Sequence, residues 1–223
     1  DLEGYESCMD QQRARARLAS QFDIDYTDSN RLEGSTDFSG YSTLEETGTI
    51  VGLYSEGQQI ESASEGTTVA VVLDKTSFYA ESGGQVGDTG YLICGDAKVE
   101  VLDCKKSSEH NLHIGTVLSG SINVGNKVIA QVDKNLRQSI ALNHSATHLA
   151  HEALRQVLGE HVTQKGSLVD SEKLRFDFSH HQAVSSQQLR LVEQLVNREI
   201  LRNTEVSTQL MSMDEAKEQG AMA

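Results

Sequence analysis

Asn143-His144-Ser145-Ala146-Thr147-His148-Leu149-Ala150-His151 lies inside a longer run in which Leu136, Ile140, His144, Thr147, His148, His151, Leu154 and Leu158 recur at steps of three and four residues. That spacing predicts a helix over 134–158, with Gly159 as its stop. On such a helix His144 and His148 share one face, about one turn of 3.6 residues apart, so two imidazoles can converge on one point. A zinc ion takes ligand nitrogens at about 2.0–2.1 Å, and this pair can occupy two corners of its tetrahedron. The same spacing equally serves packing or surface histidines. A zinc-protease reading requires a Glu directly after the first His, and Ser145 stands there. His151 lies on the same stripe but about 10.5 Å along the axis from His144, too far to share one ion without strain.

Working outward toward the C-terminus, residues 161–169 and 173–178 each alternate like half-buried strands. A second amphipathic helix is predicted over 186–203, then a strand near 206–211 and a short helix over 213–219 that runs into Gly220. A long helix, a hairpin, a further helix and a strand make an α+β layer over 134–223.

On the N-terminal side the pattern changes at Asp133. Between 41 and 133, six β-branched runs (49–54, 67–73, 90–94, 99–102, 113–118 and 127–132) are separated by Gly, Asp, Ser and Asn. They point to a small antiparallel barrel, in which closure removes exposed edges. The sequence holds no proline, so glycine does the turning. Gly83, Gly84, Gly87 and Gly90 crowd one loop, Phe78-Tyr79-Ala80-Glu81-Ser82-Gly83-Gly84-Gln85-Val86-Gly87-Asp88-Thr89-Gly90, which reads either as an ordinary hairpin or as a segment lying against a ligand. Residues 1–20 read as the end of a helix carrying Arg13, Arg15 and Arg17, and 21–40 as a polar connector. The organisation is therefore 1–40 linker, 41–133 barrel and 134–223 α+β core.

With 37% hydrophobic and 23% charged residues among 223, the chain has the composition of a globular protein. It starts at Asp1, carries no apolar signal region and has no run long enough to span a bilayer. Cys8, Cys94 and Cys104 lack a metal-type C-x-x-C pair, and their odd number argues against a disulfide framework. A cytoplasmic protein, or a piece of one, is expected, with no membrane partner. The net charge of −14 argues against a generic nucleic-acid binder. The charge is uneven, however: residues 1–133 hold 9 Lys/Arg against 22 Asp/Glu, whereas 134–178 hold 6 against 5. A polynucleotide could be tolerated around the histidines.

Six segments in order carry a resemblance: the 78–88 part of the glycine loop, Asn143-His144-Ser145-Ala146-Thr147-His148, Arg155-Gln156-Val157-Leu158-Gly159, Gln164-Lys165-Gly166-Ser167, Leu174-Arg175-Phe176-Asp177-Phe178-Ser179-His180 and Gly220-Ala221-Met222-Ala223. Together they make the chain resemble the editing region of bacterial alanyl-tRNA synthetases over essentially its whole length. The resemblance implies a translation-factor-like barrel followed by an editing core that hydrolyses seryl- or glycyl-tRNA(Ala). A pocket shaped for alanine cannot strongly exclude glycine or reject an added hydroxyl, so a second, hydrolytic site is needed.

It implies one Zn²⁺, held by His144, His148 and a Cys and a His of a later C-G-G-T-H segment. That segment would follow Ala223, which leaves half a site here and zinc binding weak. Gln164 matches a pocket residue that contacts the aminoacyl ester or an attacking water, and Thr147 one that tunes which amino acid fits. Gly83 and Gly84 lie beside the pocket in the family, and Lys165, Arg175 and Arg155 are candidates for phosphate contacts, with surface ion pairing the alternative. The expected partners are the tRNA(Ala) acceptor end carrying Ser or Gly and the rest of a synthetase chain, whose ATP-dependent aminoacylation domain would precede Asp1; no ATP site is expected in 1–223. A stand-alone trans-editing deacylase and a non-catalytic tRNA docking module remain alternatives.

Overall fold

A computed structural model describes Leu32, residues 34–207, Gln209 and residues 211–220. The predicted helix of 1–20, the connector up to Arg31 and the final Ala221-Met222-Ala223 lie outside the described residues. Two compact units result. Among the described residues, the first runs to Thr147 and includes Gln164–Phe178, and the second comprises His148–Thr163 and the residues from Ser179 onward.

Six strands close the barrel of the first unit: β1 (Glu45–Ser55), β2 (Thr68–Leu73), β3 (Gly90–Cys94), β4 (Ala97–Ser107), β5 (His110–Ser119) and β6 (Lys127–Val132). They are hydrogen-bonded in the order β6-β3-β4-β5-β2-β1, and β6 pairs again with β1, every pairing antiparallel. The predicted six-stranded barrel is present, and the fold is mixed α+β.

The strands follow from their side-chain pattern. In β6, Val128, Ala130 and Val132 alternate inward while Lys127, Ile129 and Gln131 face out. In β2 the alternation disappears because both faces are covered. Val69, Val71 and Leu73 join the barrel core with Ile50, Leu53, Leu92 and Val99, whereas Ala70 and Val72 pack in a second cluster with Tyr54, Leu112 and Ile114. Each such buried aliphatic side chain contributes about 1.5–3 kcal/mol.

β4 and β5 are longer than their apolar runs predict, extending through Lys105-Lys106-Ser107 and His110-Asn111 to a turn at Ser108, where φ is +52°. Tertiary hydrogen bonds compensate the burial of Asn111: its backbone N–H donates to Thr36 Oγ1 at 3.2 Å, its Nδ2 donates to Phe78 O at 3.0 Å, and its Oδ1 accepts from Lys106 Nζ at 3.3 Å.

One buried histidine is handled the same way. His113 Nδ1 lies 2.9 Å from Val71 O and Nε2 lies 2.8 Å from Thr76 Oγ1, so Nδ1–H donates and Nε2 accepts. Thr76 Oγ1 in turn accepts from Phe78 N–H at 3.1 Å, and the Phe78 ring meets the imidazole edge-on at 5.1 Å. Full burial holds the His113 pKa down to about 4, the Val71 hydrogen bond opposing only in part.

The long helix α1 (Lys134–Leu158) starts where predicted. Asp133 caps it, with Oδ1 accepting from Asn135 N–H at 2.9 Å and Leu136 N–H at 3.0 Å. Gly159, at φ +117°, ends it and donates its N–H to Arg155 O at 2.9 Å. The first turn of α1 is anchored to the barrel by Arg137. Its Nε donates to both Asp88 carboxylate oxygens at 2.8 and 3.0 Å, Nη2 completes the ion pair with Asp88, and the guanidinium also donates to Gly40 O and Ser77 O at 2.7 and 2.9 Å. Asp88 is 1% exposed and accepts a further hydrogen bond from Tyr79 N–H at 2.7 Å. This buried pair is the physical role of Asp88 in the glycine loop, a role the sequence pattern does not display.

The hairpin β7 (Gln164–Val169) and β8 (Leu174–Phe178) completes the first unit. β7 begins three residues later than its alternation predicts, because the turn out of α1 runs through Glu160 and His161, closed by Val162 N–H donating to Gly159 O at 3.2 Å. In the second unit, α2 (Ser186–Arg202) is opened by a capping box in which Ser185 and Gln188 exchange side-chain and backbone hydrogen bonds, and closed by Asn203 in the left-handed region. α3 (Met213–Glu218) carries the same device, Ser212 with Glu215.

Of the strand expected near 206–211, the described residues Val206, Ser207, Gln209 and Met211 lie in no strand. Among the described residues no helix is long and apolar enough to cross a membrane.

Candidate functional site

The glycine loop closes a tight hairpin turn on itself, Ser82 N–H donating to Gln85 O at 3.2 Å and Gln85 N–H to Ser82 O at 3.0 Å, and that turn also lies along β7. Val169 N–H donates to Gly84 O at 2.7 Å and Val86 N–H donates to Val169 O at 3.1 Å, giving a parallel bridge between Gln85 and Val169. Gly84 sits at φ +84°, and a Cβ there would stand 2.3 Å from Ser167 Oγ and 2.6 Å from Ser167 O. Glycine is required by both conformation and contact. Gly83, at φ +61°, has open space where a Cβ would be, so only its backbone conformation favours glycine.

This docking turns Gln85 toward α1. Gln85 is 8% exposed, and its Oε1 lies 2.6 Å from His144 Nδ1. An amide oxygen can only accept, so Nδ1 carries the proton and the neutral ring has its lone pair on Nε2. An outer partner that fixes the tautomer in this way accompanies most metal-ligating histidines. On the donor-set chemistry, His144 fits a zinc ligand. His148 follows one turn later on α1.

α1 is further tied to the hairpin by Asn143 Nδ2, which donates to Asp170 O at 2.8 Å; Asp170 Oδ1 shapes that turn by accepting from Glu172 and Lys173 N–H, each at 2.8 Å. Those two N–H groups hold the Asp170 carboxyl below its ordinary pKa.

The remaining predicted site residues divide. Gln164, exposed at the start of β7, donates through Nε2 to Ser167 Oγ at 3.2 Å, and Ser167 Oγ reaches Gly83 O at 3.4 Å, so Gln164, Ser167 and the glycine loop form one polar edge. Thr147 is 5% exposed and its hydroxyl donates to Asn143 O at 2.8 Å, one turn back. Lys165 is exposed beside a bulge between Gln164 and Gly166. Arg175 is exposed and pairs with Asp177 at 3.1 Å, the surface ion pair named as the alternative to a phosphate contact. Arg155 belongs to the second unit, where Nη1 donates to Glu160 O at 3.1 Å.

Sequence reasoning missed Gln85 as a member of this site. Its only signal was its place directly after two glycines in a loop too rich in glycine for a simple turn.

With that geometry in view, the comparisons are direct. The family profile for tRNA synthetases class II (A) matches residues 1–136, more than half of the chain, and the chain belongs to that family. It is similar along all 223 residues to alanine–tRNA ligases: 54% identical to that of Pseudomonas entomophila, 53% to that of Pseudomonas syringae pv. syringae and 50% to that of Saccharophagus degradans. The chain spans about a quarter (26%) of the length of these relatives.

Proposed function

We propose that this chain is the editing part of an alanyl-tRNA synthetase and hydrolyses the ester of seryl- or glycyl-tRNA(Ala). The observation that carries the reading is the hydrogen bond from His144 to Gln85, supplied by a glycine loop docked on the same hairpin that bears Gln164. The docked loop sets the orientation and tautomer of a helix histidine, which a metal site requires. On this reading the barrel is the translation-factor-like one that the resemblance implies, and membership in the class II synthetase family supports tRNA as the polynucleotide partner and the rest of a synthetase chain as the other.

His144 and His148 would hold zinc together with a Cys and a His of a C-G-G-T-H segment outside these 223 residues. Bound there, zinc supplies either a water of lowered pKa or a grip on the substrate's amino acid. The chain's own residues do the rest. Gln85 keeps the His144 lone pair on Nε2. Gln164, with Nε2 given to Ser167, keeps its amide oxygen to accept from an attacking water or from the aminoacyl group. Thr147 has its proton committed to Asn143 O, so it shapes the pocket by bulk and by one acceptor lone pair, which suits discrimination among small side chains. Lys165 and, once released from Asp177, Arg175 are placed on the hairpin to meet phosphate.

The test compares seryl-tRNA(Ala) hydrolysis by this chain with that by a chain extended through the C-G-G-T-H segment. Hydrolysis by the extended chain alone is expected, with Gln164→Ala lowering it while the circular dichroism stays native. Equal hydrolysis by both overturns the four-ligand zinc site. No hydrolysis by either, with tRNA still bound, replaces the enzyme by a docking module.

A further inference from the structure

A second group of nitrogen donors lies wholly within the second unit. His161, in the turn that leaves α1, and His180-His181, following β8, each offer a ring nitrogen, and the three nitrogens lie within 4.8 Å of one another. Two are already in contact: His161 Nε2 is 2.9 Å from His180 Nδ1, with the rings stacked at 5.1 Å and 20°. The His181 ring is tilted against both, at 4.9 and 5.0 Å. We propose that His161, His180 and His181 form a binding site for a divalent transition-metal ion of the zinc, copper and nickel class that shares no ligand with the His144 and His148 pair.

Three features support it. First, the backbone that carries the rings is held in place before any ion arrives. Ser179 N–H donates to Thr163 O at 3.0 Å, Thr163 N–H donates to Ser179 Oγ at 3.1 Å, and Ser179 Oγ donates to His161 O at 3.1 Å. The two segments are stitched together on either side of the histidines, and Val162, between His161 and Thr163, is fully buried as their anchor. A ligand set on such a frame loses little freedom on binding.

Second, the distances suit a metal. Two nitrogens on a tetrahedral ion with bonds of about 2.0–2.1 Å stand ~3.4 Å apart, so the His161–His180 edge is nearly at bonding geometry and the third nitrogen needs to move inward by ~1.4 Å or less. His161 and His181 are exposed, which leaves them free to make that movement and gives an ion a path in.

Third, the cluster has donor capacity to spare: the one hydrogen bond among the three imidazoles, between His161 Nε2 and His180 Nδ1, uses a single lone pair. An ion replaces that hydrogen bond with two nitrogen–metal bonds and adds a third, each ring binding as the neutral tautomer with its lone pair toward the ion. Imidazole donors select zinc, copper and nickel over magnesium or calcium, and three such ligands leave a position for water or an anionic oxygen.

The test uses the 223-residue chain with ZnCl₂ as the probe, read by titration calorimetry and by the ring nitrogen resonances of ¹⁵N-histidine. One equivalent of Zn²⁺ should shift the His161, His180 and His181 resonances in the unaltered chain and equally in a His144→Ala/His148→Ala variant. The exposed substitutions His161→Ala and His181→Ala should each weaken that event roughly tenfold or more, since even an outer partner's loss weakens metal binding 10–100-fold, with far-ultraviolet circular dichroism unchanged. Shifts confined to His144 and His148, or an affinity untouched in the His161→Ala/His181→Ala double variant, would overturn the proposal.

Discussion

Replacing Gly84 by alanine, beside the same change at Gly83, separates backbone strain from loop docking. Both glycines sit at positive φ, +61° and +84°, and an L residue held there costs about 1–2 kcal/mol. At Gly83 that is the whole effect, because nothing lies within 4 Å of the added methyl. At Gly84 the methyl would meet Ser167 Oγ at 2.3 Å, Ser167 O at 2.6 Å and Ser167 C at 3.0 Å. The hydroxyl can rotate aside. The carbonyl cannot, because Ser167 is paired with Phe176 in the β7–β8 ladder.

Relief therefore means lifting the loop from β7 and giving up the two backbone hydrogen bonds between Gly84, Val86 and Val169. At about 0.5–1.5 kcal/mol net for each, undocking adds roughly 1–3 kcal/mol to the strain. Gly84→Ala should then destabilise by about 2–5 kcal/mol in urea unfolding and Gly83→Ala by about 1–2. Amide exchange at Val86 and Val169 gives the local reading: roughly 30-fold faster in Gly84→Ala for ~2 kcal/mol of lost docking, and little changed in Gly83→Ala. Equal midpoints and equal exchange in the two variants would refute the reasoning, since the close approach to Ser167 would then carry no energy.

Three further outcomes are expected. Gln85→Leu, which removes the acceptor of Nδ1–H while keeping the bulk, should leave the chain folded but shift the His144 tautomer populations, read from the ring ¹⁵N resonances; an unchanged tautomer removes Gln85 from the site. Asp88→Asn leaves Arg137 buried beside a neutral amide and should destabilise by about 3–5 kcal/mol in urea titration, and a change under 1 kcal/mol would make the pair dispensable. The pH dependence of stability should carry the signature of His113. Its folded pKa of about 4 lies below the ordinary 6.5, so the unfolded chain binds the proton first. Its contribution is fully present above pH 6.5 and is lost as pH falls to about 4, a difference of about 3 kcal/mol. A His113→Asn chain should show that much less loss over the same window, and parallel profiles would contradict the buried neutral imidazole.

By itself the sequence determined the elements whose cause is local. The three-and-four spacing from Leu136 to Leu158 specifies α1, Asp133 and Gly159 mark its ends, and the β-branched runs between Thr49 and Val132 specify the six barrel strands, because helix and strand periods are written in which side chains must face a core. Helical spacing also paired His144 with His148, and resemblance added the interest of Gln164 and Thr147.

Only the tertiary structure decided what that loop touches. Gln85 and His144 are 59 residues apart, and Asp88 and Arg137 are 49 apart; neither pairing follows a period, because each depends on barrel closure bringing the loop to α1 and the hairpin. Alternation states that a segment can be a strand, but a strand is made by its neighbour, and which neighbour stands there is settled in three dimensions. His161, His180 and His181 came together in the same way, at the two ends of a hairpin whose register the sequence does not spell out.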